Sequence, residues 1–221
     1  MRDAALILVP RKGAGKDDLA EVRHQIIAAS ETRAKVVHFD YPERDPALPY
    51  QERVALRHDE IANRWAAALD TAQVDGPVAL LVWGDPLLYD STLRIAGRLK
   101  PEPKVRVIPG ITAIQALTAA HAIPLNTVNG AVHVTTGRRL RTHGLPQGDT
   151  TVVMLDGECA FKDLPPDGLH IWGGAYLGTR NQILIHGPLD EVCDEIIQTR
   201  CDARAQFGWI MDSYLLRRTS C

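Results

Sequence analysis

Short apolar runs alternate with helical segments along the first half of the chain, and this alternation restricts the fold more than any other feature. The apolar runs lie at residues 5–9, 36–39, 78–83 and 105–108, and the helical segments at 17–29, 51–72, 91–99 and 112–121. Apolar strands that alternate with helices pack as a parallel sheet with both faces covered. The pattern therefore predicts an α/β domain.

The pattern changes after Pro124. Strand candidates follow at residues 132–135, 151–155, 169–172, 182–185 and 209–215, and one clear helix is predicted at 188–205. A region with many strands and few helices is typical of a mixed α+β domain with antiparallel pairing. We therefore divide the chain into an N-terminal α/β domain, residues 1–126, and a C-terminal α+β domain, residues 127–221.

Composition narrows the function classes. The 221 residues are 45% hydrophobic and 24% charged, with a formal net charge of −2. This charge gives no overall attraction to nucleic acid or to an anionic membrane. No apolar run approaches the roughly 18–20 residues of a membrane span, and no secretory signal precedes the first strand, so a cytoplasmic protein is expected. The four cysteines and eight histidines form no metal-binding motif.

Two corners stand where predicted strands end. Trp83-Gly84-Asp85-Pro86 follows one strand, and Pro109-Gly110-Ile111-Thr112 follows the next. Ligands of open parallel sheets bind at the carboxyl ends of strands, where glycine lets a ligand approach the backbone. Asp85 is placed to accept from a hydroxyl or cationic group, and Thr112 to cap a helix or contact the ligand. Neither a G-x-G-x-x-G nor a G-x-x-x-x-G-K-[ST] motif is present, so dinucleotide and P-loop sites are not predicted.

Six segments resemble the tetrapyrrole methylases, also called class III methyltransferases. They are LVWGDPLLYDSTLRI (81–95), VIPGITAIQALTAAHAIPLN (107–126), TTGRRL (135–140), VVMLDGECAF (152–161), WGGAYLGTRNQILIHGPL (172–189) and GWIMDSYLLRR (208–218). The first two mark the superfamily, and the MLDGECAF and GWIMD segments resemble one particular activity within it. Together the six segments span nearly all of residues 78–218.

The resemblance implies a two-domain α/β homodimer that binds S-adenosylmethionine. Carried over motif by motif, the cofactor contacts are Trp83, Gly84, Asp85 and Leu88 from the first corner, Thr112 and Ala113 from the second, and Met154 and Gly178 from the C-terminal domain. No metal is implied.

The resemblance also implies a reaction: methylation of ring carbon 1 of precorrin-5 with release of acetate, giving precorrin-6A. The substrate carries several carboxylates, which arginine binds in bidentate fashion, so Arg138 and Arg139 are candidate substrate contacts; a solvated loop or an ion pair is the alternative. Loss of the acetyl group requires water, and Asp156, Glu158 and Asp212 are candidate bases for it. Each is alternatively a structural carboxylate.

One part of the family pattern is not matched. Members normally begin with a further strand and a Gly-rich segment ahead of the strand that resembles residues 4–9. A chain without that unit is expected to expose an unpaired sheet edge or a groove. Two alternatives to the activity above therefore stay open: another methyltransferase of the same superfamily, or a remnant that folds without catalysis.

Overall fold

The computed structural model describes residues 1, 3–11, 17–42, 47–208 and 211–218, with backbone alone for 17–20. Backbone contacts divide the chain into two compact units, Met1–Gly110 and Ile111–Cys221. This division falls earlier than the boundary at 126/127 read from the sequence pattern. The difference arises because the helix that follows Gly110 packs against strands of the second unit.

The first unit is the predicted α/β arrangement. Its elements are β1 (Leu6–Arg11), α1 (Asp17–Ala29), β2 (Lys35–Asp40), α2 (Tyr50–Ala72), β3 (Val78–Leu80) and α3 (Thr92–Ala96). The sheet has the order β2-β1-β3, and both pairings are parallel. The central strand is the most apolar one, as expected for a strand covered on both faces.

Alternate residues of β1 enter two separate cores. Leu6 and Leu8 pack with Ile61 and Trp65 of α2 on one face of the sheet. On the other face, Ile7 and Val9 pack with Ile27 of α1 and its neighbours. Because successive side chains of a strand point to opposite faces, one uninterrupted apolar run supplies both layers.

The prediction of a strand at 105–108 is wrong. That segment has no regular structure and pairs with no described strand, and Val105 and Ile108 are 51% and 67% exposed. β3 pairs with β1 alone among the described strands. β3 also ends at Leu80 rather than at residue 83. An apolar run becomes a strand only where a neighbour satisfies its backbone groups.

The second unit is the predicted mixed α+β domain. Its elements are α4 (Ala113–Ala120), β4 (Val132–Thr136), α5 (Gly137–His143), β5 (Thr150–Met154), a 3₁₀ turn (Ala160–Asp163), β6 (Leu169–Ala175), β7 (Ile183–Pro188), α6 (Leu189–Phe207) and β8 (Asp212–Arg218). The sheet order is β4-β5-β8-β6-β7. β4 and β5 are parallel, and the other pairs are antiparallel. Of the strand predicted at 209–215, residues 209–210 lie outside the described residues.

The second core lies under α5, the 3₁₀ turn and α6. Leu140, Phe161, Ile171 and Leu216 are buried in it, with Leu189 at the start of α6. Helix α5 was not predicted, because it has only seven residues and begins at a glycine. None of the helices in the described ranges combines the length and apolar character that crossing a membrane requires.

Candidate active site

The Gly-Asp-Pro corner is a tight turn built around a buried carboxylate. Gly84 is exposed and has a φ of +71°, a left-handed conformation that favours glycine. Asp85 is only 8% exposed, and its Oδ1 accepts the backbone N–H of Leu87 at 2.8 Å. Leu87 is exposed, and Leu88 is half-buried. The corner therefore presents its backbone and apolar side chains outward while its carboxylate points in.

The carboxylate of Asp85 also joins this corner to the next one. Its Oδ2 accepts the backbone N–H of Gly110 at 2.8 Å. A Cβ atom on Gly110 would lie 2.2 Å from the carbonyl oxygen of Gly84, so no other residue fits there without moving the backbone. The part of the second corner that belongs to the first unit thus lies directly against the first corner. Asp85 positions both loops.

Thr112 begins helix α4 in the second unit. Its Oγ1 accepts the backbone N–H groups of Ile114 at 3.2 Å and Gln115 at 3.4 Å. The side chain of Gln115 in turn accepts the backbone N–H of Thr112. This reciprocal capping box confirms the predicted capping role of Thr112. Ala113 is the first residue of the helix that it caps.

The other predicted residues of the second unit gather at one edge of its sheet. Strands β4, β5 and β6 run in the same direction, while β8 runs against them, so three carboxyl ends and the start of β8 share that edge. The predicted residues at this edge are Arg138, Arg139, Met154, Asp156, Glu158, Gly178 and Asp212. Arg138 and Arg139 are exposed in the first turn of α5. The N–H of Gly178 donates to Gln182 Oε1 at 2.9 Å.

Asp156 is a buried acceptor of three hydrogen bonds. It is 5% exposed and accepts the backbone N–H groups of Glu158 at 3.1 Å and Ala160 at 2.6 Å. The hydroxyl of Tyr214 donates to it at 2.6 Å, and burial together with the Asp156 charge raises the pKa of Tyr214. A Cβ on Gly137 would lie 2.2 Å from Asp156 Cγ. These contacts match the structural alternative for Asp156.

The two other candidate carboxylates stand in ion pairs. Glu158 is exposed and pairs with Arg141. Asp212 is half-buried and accepts from Arg200 Nε at 2.7 Å; burial raises the pKa of this carboxyl, and the charge of Arg200 opposes the rise. Asp212 and Tyr214 line a cavity of about 40 Å³. A cavity needs about 10–15 Å³ to hold a water molecule, so this one has room for water beside the carboxylate.

One buried charge in the first unit was missed by the sequence analysis. Arg23 lies on the inward face of α1, one turn before Ile27, and is 6% exposed. Its guanidinium lies 4.7 Å from the ring centroid of Trp83, the residue before the Gly-Asp-Pro corner. The signal in the sequence was an arginine at an inward position of the helix, where apolar residues are expected.

Three histidines of the second unit lie near one another. The ring centroid of His186 is 5.6 Å from that of His121 and 5.8 Å from that of His170. The Nε2 of His121 lies 2.9 Å from the carbonyl oxygen of Gly173. Across the ranges that the structure describes, no three His, Cys, Asp or Glu side chains are arranged to hold a metal ion.

Comparison with known proteins finds a matching family profile and a similar relative. The profile of the Tetrapyrrole (Corrin/Porphyrin) Methylases matches residues 1–193. The chain is 48% identical over 223 aligned positions to the precorrin-6A synthase (deacetylating) of a Sinorhizobium species, which covers 97% of this chain and 85% of the relative.

Solved structures agree. A cobalamin-synthesis-related protein (CobF) of Corynebacterium diphtheriae superimposes with a TM-score of 0.80 at 38% identity, over 99% of this chain and 89% of that one. The uroporphyrin-III C-methyltransferase of Thermus thermophilus, solved with S-adenosylhomocysteine, shares the fold with a TM-score of 0.56 at 17% identity, over 98% and 86% of the two chains. The two-domain α/β fold, the corner motifs and these matches together show that the chain belongs to the tetrapyrrole methylase family.

Proposed function

We propose that the chain is an S-adenosylmethionine-dependent C-methyltransferase of cobalamin biosynthesis. It methylates ring carbon 1 of precorrin-5, releases acetate and forms precorrin-6A. The observation that carries this proposal is the 48% identity to a precorrin-6A synthase over 97% of the chain. A match of that extent covers both the general family corners and the MLDGECAF segment around Asp156.

The residues at the corners fit the cofactor. In the first unit, Gly84 offers exposed backbone, and the buried Nε1 of Trp83 has no hydrogen-bond acceptor within the described part of the chain. Asp85 and Leu88 shape the same turn, and Thr112, Ala113, Met154 and Gly178 would add contacts from the second unit. When bound, S-adenosylmethionine supplies a methyl group on a positively charged sulfur.

The protein's share in methylation is mainly positioning. The reduced tetrapyrrole is an electron-rich carbon nucleophile, so the residues have to align its ring carbon and keep water away from the reacting atoms. Asp85 serves this end indirectly, because its bonds to Leu87 and Gly110 fix the backbone of the turn. Side-chain acid–base chemistry is needed only for removal of the acetyl group.

Asp212 is our candidate base for that removal. It lines the cavity described above, which has room for water. In this step water adds to the acetyl carbonyl, the carbon–carbon bond to the macrocycle breaks, and acetate leaves. The electron pair of that bond returns to the macrocycle, and the base takes a proton from the water. Asp156 is assigned a structural role, because its carboxylate already accepts hydrogen bonds from three donors.

Arg138 and Arg139 are proposed to bind carboxylates of the substrate. Both are exposed in the first turn of α5, at the edge of the sheet that also carries Asp212. We further propose that the enzyme works as a homodimer in the cytoplasm.

The test is turnover of precorrin-5 with methyl-labelled S-adenosylmethionine, with product mass and free acetate followed separately. The expected result is one labelled methyl per macrocycle and one acetate. Asp212→Asn is expected to give a methylated product that still carries the acetyl group. Glu158→Gln, which changes an exposed carboxylate nearby, is the matched control and should release acetate normally. No methyl transfer by the wild type, together with no binding of S-adenosylhomocysteine, would favour a non-catalytic remnant.

A turnover experiment with other tetrapyrroles separates the remaining alternative. If the wild type methylates uroporphyrinogen or another precorrin and leaves precorrin-5 unchanged, the chain is a different methyltransferase of the same family.

A further inference from the structure

Arg23 is a buried guanidinium for which the described residues supply no countercharge. It is 6% exposed, and no acidic side chain or backbone carbonyl among the described residues accepts from it. Burial lowers the pKa of Arg23, and the nearby Tyr41 opposes the shift. By contrast, Arg200 in the second unit is also largely buried and bonds to Asp212 at 2.7 Å. A buried charge normally has a partner, so the lack of one for Arg23 among the described residues requires an explanation.

Trp83 and Tyr41 lie close to Arg23, and each carries a further hydrogen-bond donor. Its guanidinium lies over the ring of Trp83, whose buried Nε1–H has no acceptor among the described residues. The ring of Tyr41 lies 5.3 Å from the guanidinium of Arg57, a second cation near this group. Burial raises the pKa of Tyr41 and the charge of Arg23 opposes the rise, so the two side chains lie within electrostatic range.

All three side chains belong to one edge of the first sheet. Tyr41 directly follows β2, Trp83 follows β3 by three residues, and Arg23 is carried by the helix that follows β1. Because the three strands are parallel, their carboxyl ends meet at the edge where ligands of such sheets bind. The Gly84–Asp85 turn is at this same edge.

We propose that Arg23, stacked on Trp83 beside the Gly-Asp-Pro corner, binds a carboxylate group of a ligand. A carboxylate is an anion with two acceptor oxygens, and a guanidinium meets it with two parallel N–H groups. The indole N–H and the phenol O–H are further donors for the same oxygens. This inference rests on the proposed function, whose ligands carry carboxylates from two sources: the acetate and propionate chains of the tetrapyrrole, and the aminoacyl end of the cofactor.

The rival explanation is that Arg23 only packs on Trp83. The two explanations differ for Arg23→Met, which keeps the long apolar stem and removes the charge. If the side chain only packs, this variant is neutral for binding, and it is neutral or stabilising for the fold because an unpaired buried charge is gone. If it binds a carboxylate, the melting temperature holds or rises while affinity falls by about 10- to 100-fold, the range expected for a lost charged hydrogen bond.

The experiment measures binding of three probes by calorimetry and by quenching of tryptophan fluorescence. S-adenosylhomocysteine carries the aminoacyl carboxylate, 5′-methylthioadenosine lacks it, and an octacarboxylic porphyrin carries the tetrapyrrole carboxylates. Arg23→Met and Arg23→Lys are compared with the wild type. Arg98→Met is the matched control, since Arg98 already has a partner: its Nε lies 2.7 Å from Asp59 Oδ1. Arg23→Lys keeps the charge and covers the case in which Arg23→Met does not fold.

If Arg23→Met binds S-adenosylhomocysteine more weakly but keeps its affinity for 5′-methylthioadenosine, the site belongs to the cofactor's carboxylate. Weaker binding of the porphyrin alone assigns it to the tetrapyrrole. The proposal is overturned if the affinities of Arg23→Met for all three probes stay within twofold of the wild type. It is also overturned if the affinities for S-adenosylhomocysteine and 5′-methylthioadenosine fall by equal factors. A wild type that binds the porphyrin through Arg23 but neither nucleoside refutes the proposed function and leaves the carboxylate site standing.

Discussion

Two buried aspartates, one in each unit, both hold loop backbone in place, but their surroundings differ. Asp85 and Asp156 both follow the carboxyl end of a strand, and each accepts two backbone N–H groups. Each also has a glycine pressed close, Gly110 at the Asp85 corner and Gly137 at Asp156. In both loops, a charged side chain substitutes for the regular backbone pairing that a strand loses where it ends.

The difference lies in what else surrounds each carboxylate. Asp156 also receives the hydroxyl of Tyr214, and Arg200 donates to its backbone carbonyl at 3.2 Å. No side chain in the described ranges donates to Asp85, and Gly84 and Gly110 beside it are both exposed. Asp156 is therefore the centre of a closed network, whereas Asp85 holds open a turn whose backbone stays available to a ligand. We expect the first arrangement to serve stability and the second to serve the proposed cofactor binding.

Replacing each aspartate by asparagine is expected to give the largest effects and to separate these roles. Asp156→Asn places an amide NH₂ among three donors, and we expect a loss of about 3 kcal/mol or more in the free energy of unfolding. Asp85→Asn loses one charged bond and should cost about 1–2 kcal/mol. Urea unfolding measures both. Equal losses in the two variants would contradict the comparison.

Binding should show the reverse order. Asp85→Asn loosens the link to Gly110, so its affinity for S-adenosylhomocysteine is expected to fall about tenfold, while Asp156→Asn should change the affinity little at temperatures where it remains folded. If Asp85→Asn binds as the wild type does, the turn does not depend on its carboxylate for its shape.

The two glycines test the same distinction with smaller changes. Gly110→Ala places a methyl against the Gly84 carbonyl, and Gly137→Ala places one against Asp156. Each is expected to cost about 1–3 kcal/mol of stability, as overpacking does. Only Gly110→Ala should also weaken S-adenosylhomocysteine binding, by about tenfold or more, since it pushes the two corners apart. Calorimetry on both variants decides the point, and a binding defect in Gly137→Ala would count against it.

The sequence predicted most of the elements because their signals are local. The apolar run of β1 and the span of α1 follow from neighbouring residues alone. The run at 105–108 failed because its pairing depends on a distant neighbour, which local pattern does not encode. The bond from Tyr214 to Asp156 joins residues 58 positions apart, and no short motif reveals such a pairing.

The sequence predicted where the corners lie, and their ligand contacts stay a prediction. Gly110 does lie against the first corner, although the segment before it is not a strand, because Asp85 accepts its backbone N–H. The sequence assigned Asp85 to the ligand; the structure adds that its oxygens accept the backbone N–H groups of Leu87 and Gly110, which the sequence did not reveal. Arg23 was overlooked because one charged residue in an amphipathic helix is ordinarily solvated, and only the packed structure shows it buried.

Thr112 supplies a smaller test in the second unit. Thr112→Ala removes the cap of α4 and is expected to cost about 1 kcal/mol, while Thr112→Ser keeps the hydroxyl and should lose little. If Thr112 also contacts the cofactor, as proposed, alanine will weaken S-adenosylhomocysteine binding beyond the effect of the lost stability. Binding measured well below the melting temperature of both variants separates these effects, and equal affinities would restrict Thr112 to capping.

The smallest expected effect is a pH dependence that the two units share. Burial lowers the pKa of His58 in the first unit and of His121 and His170 in the second, with nearby positive groups adding to the shift at His58 and His170. A histidine whose folded pKa lies below its unfolded value of about 6.5 binds protons more readily when unfolded. Stability is therefore complete above about pH 6.5 and falls as the pH drops through the folded values.

His170→Asn and His58→Asn each remove one of these contributions, one from each unit. The loss of unfolding free energy between about pH 7.5 and about pH 5.5 should become smaller in both variants. His170 faces His186 and Arg217, which oppose its protonation, and Glu191, which favours it. We expect the larger reduction at His170, because its Nε2 is buried without a partner in the described chain. An unchanged or steeper loss on acidification in His170→Asn would show that its ring is solvated in the folded protein.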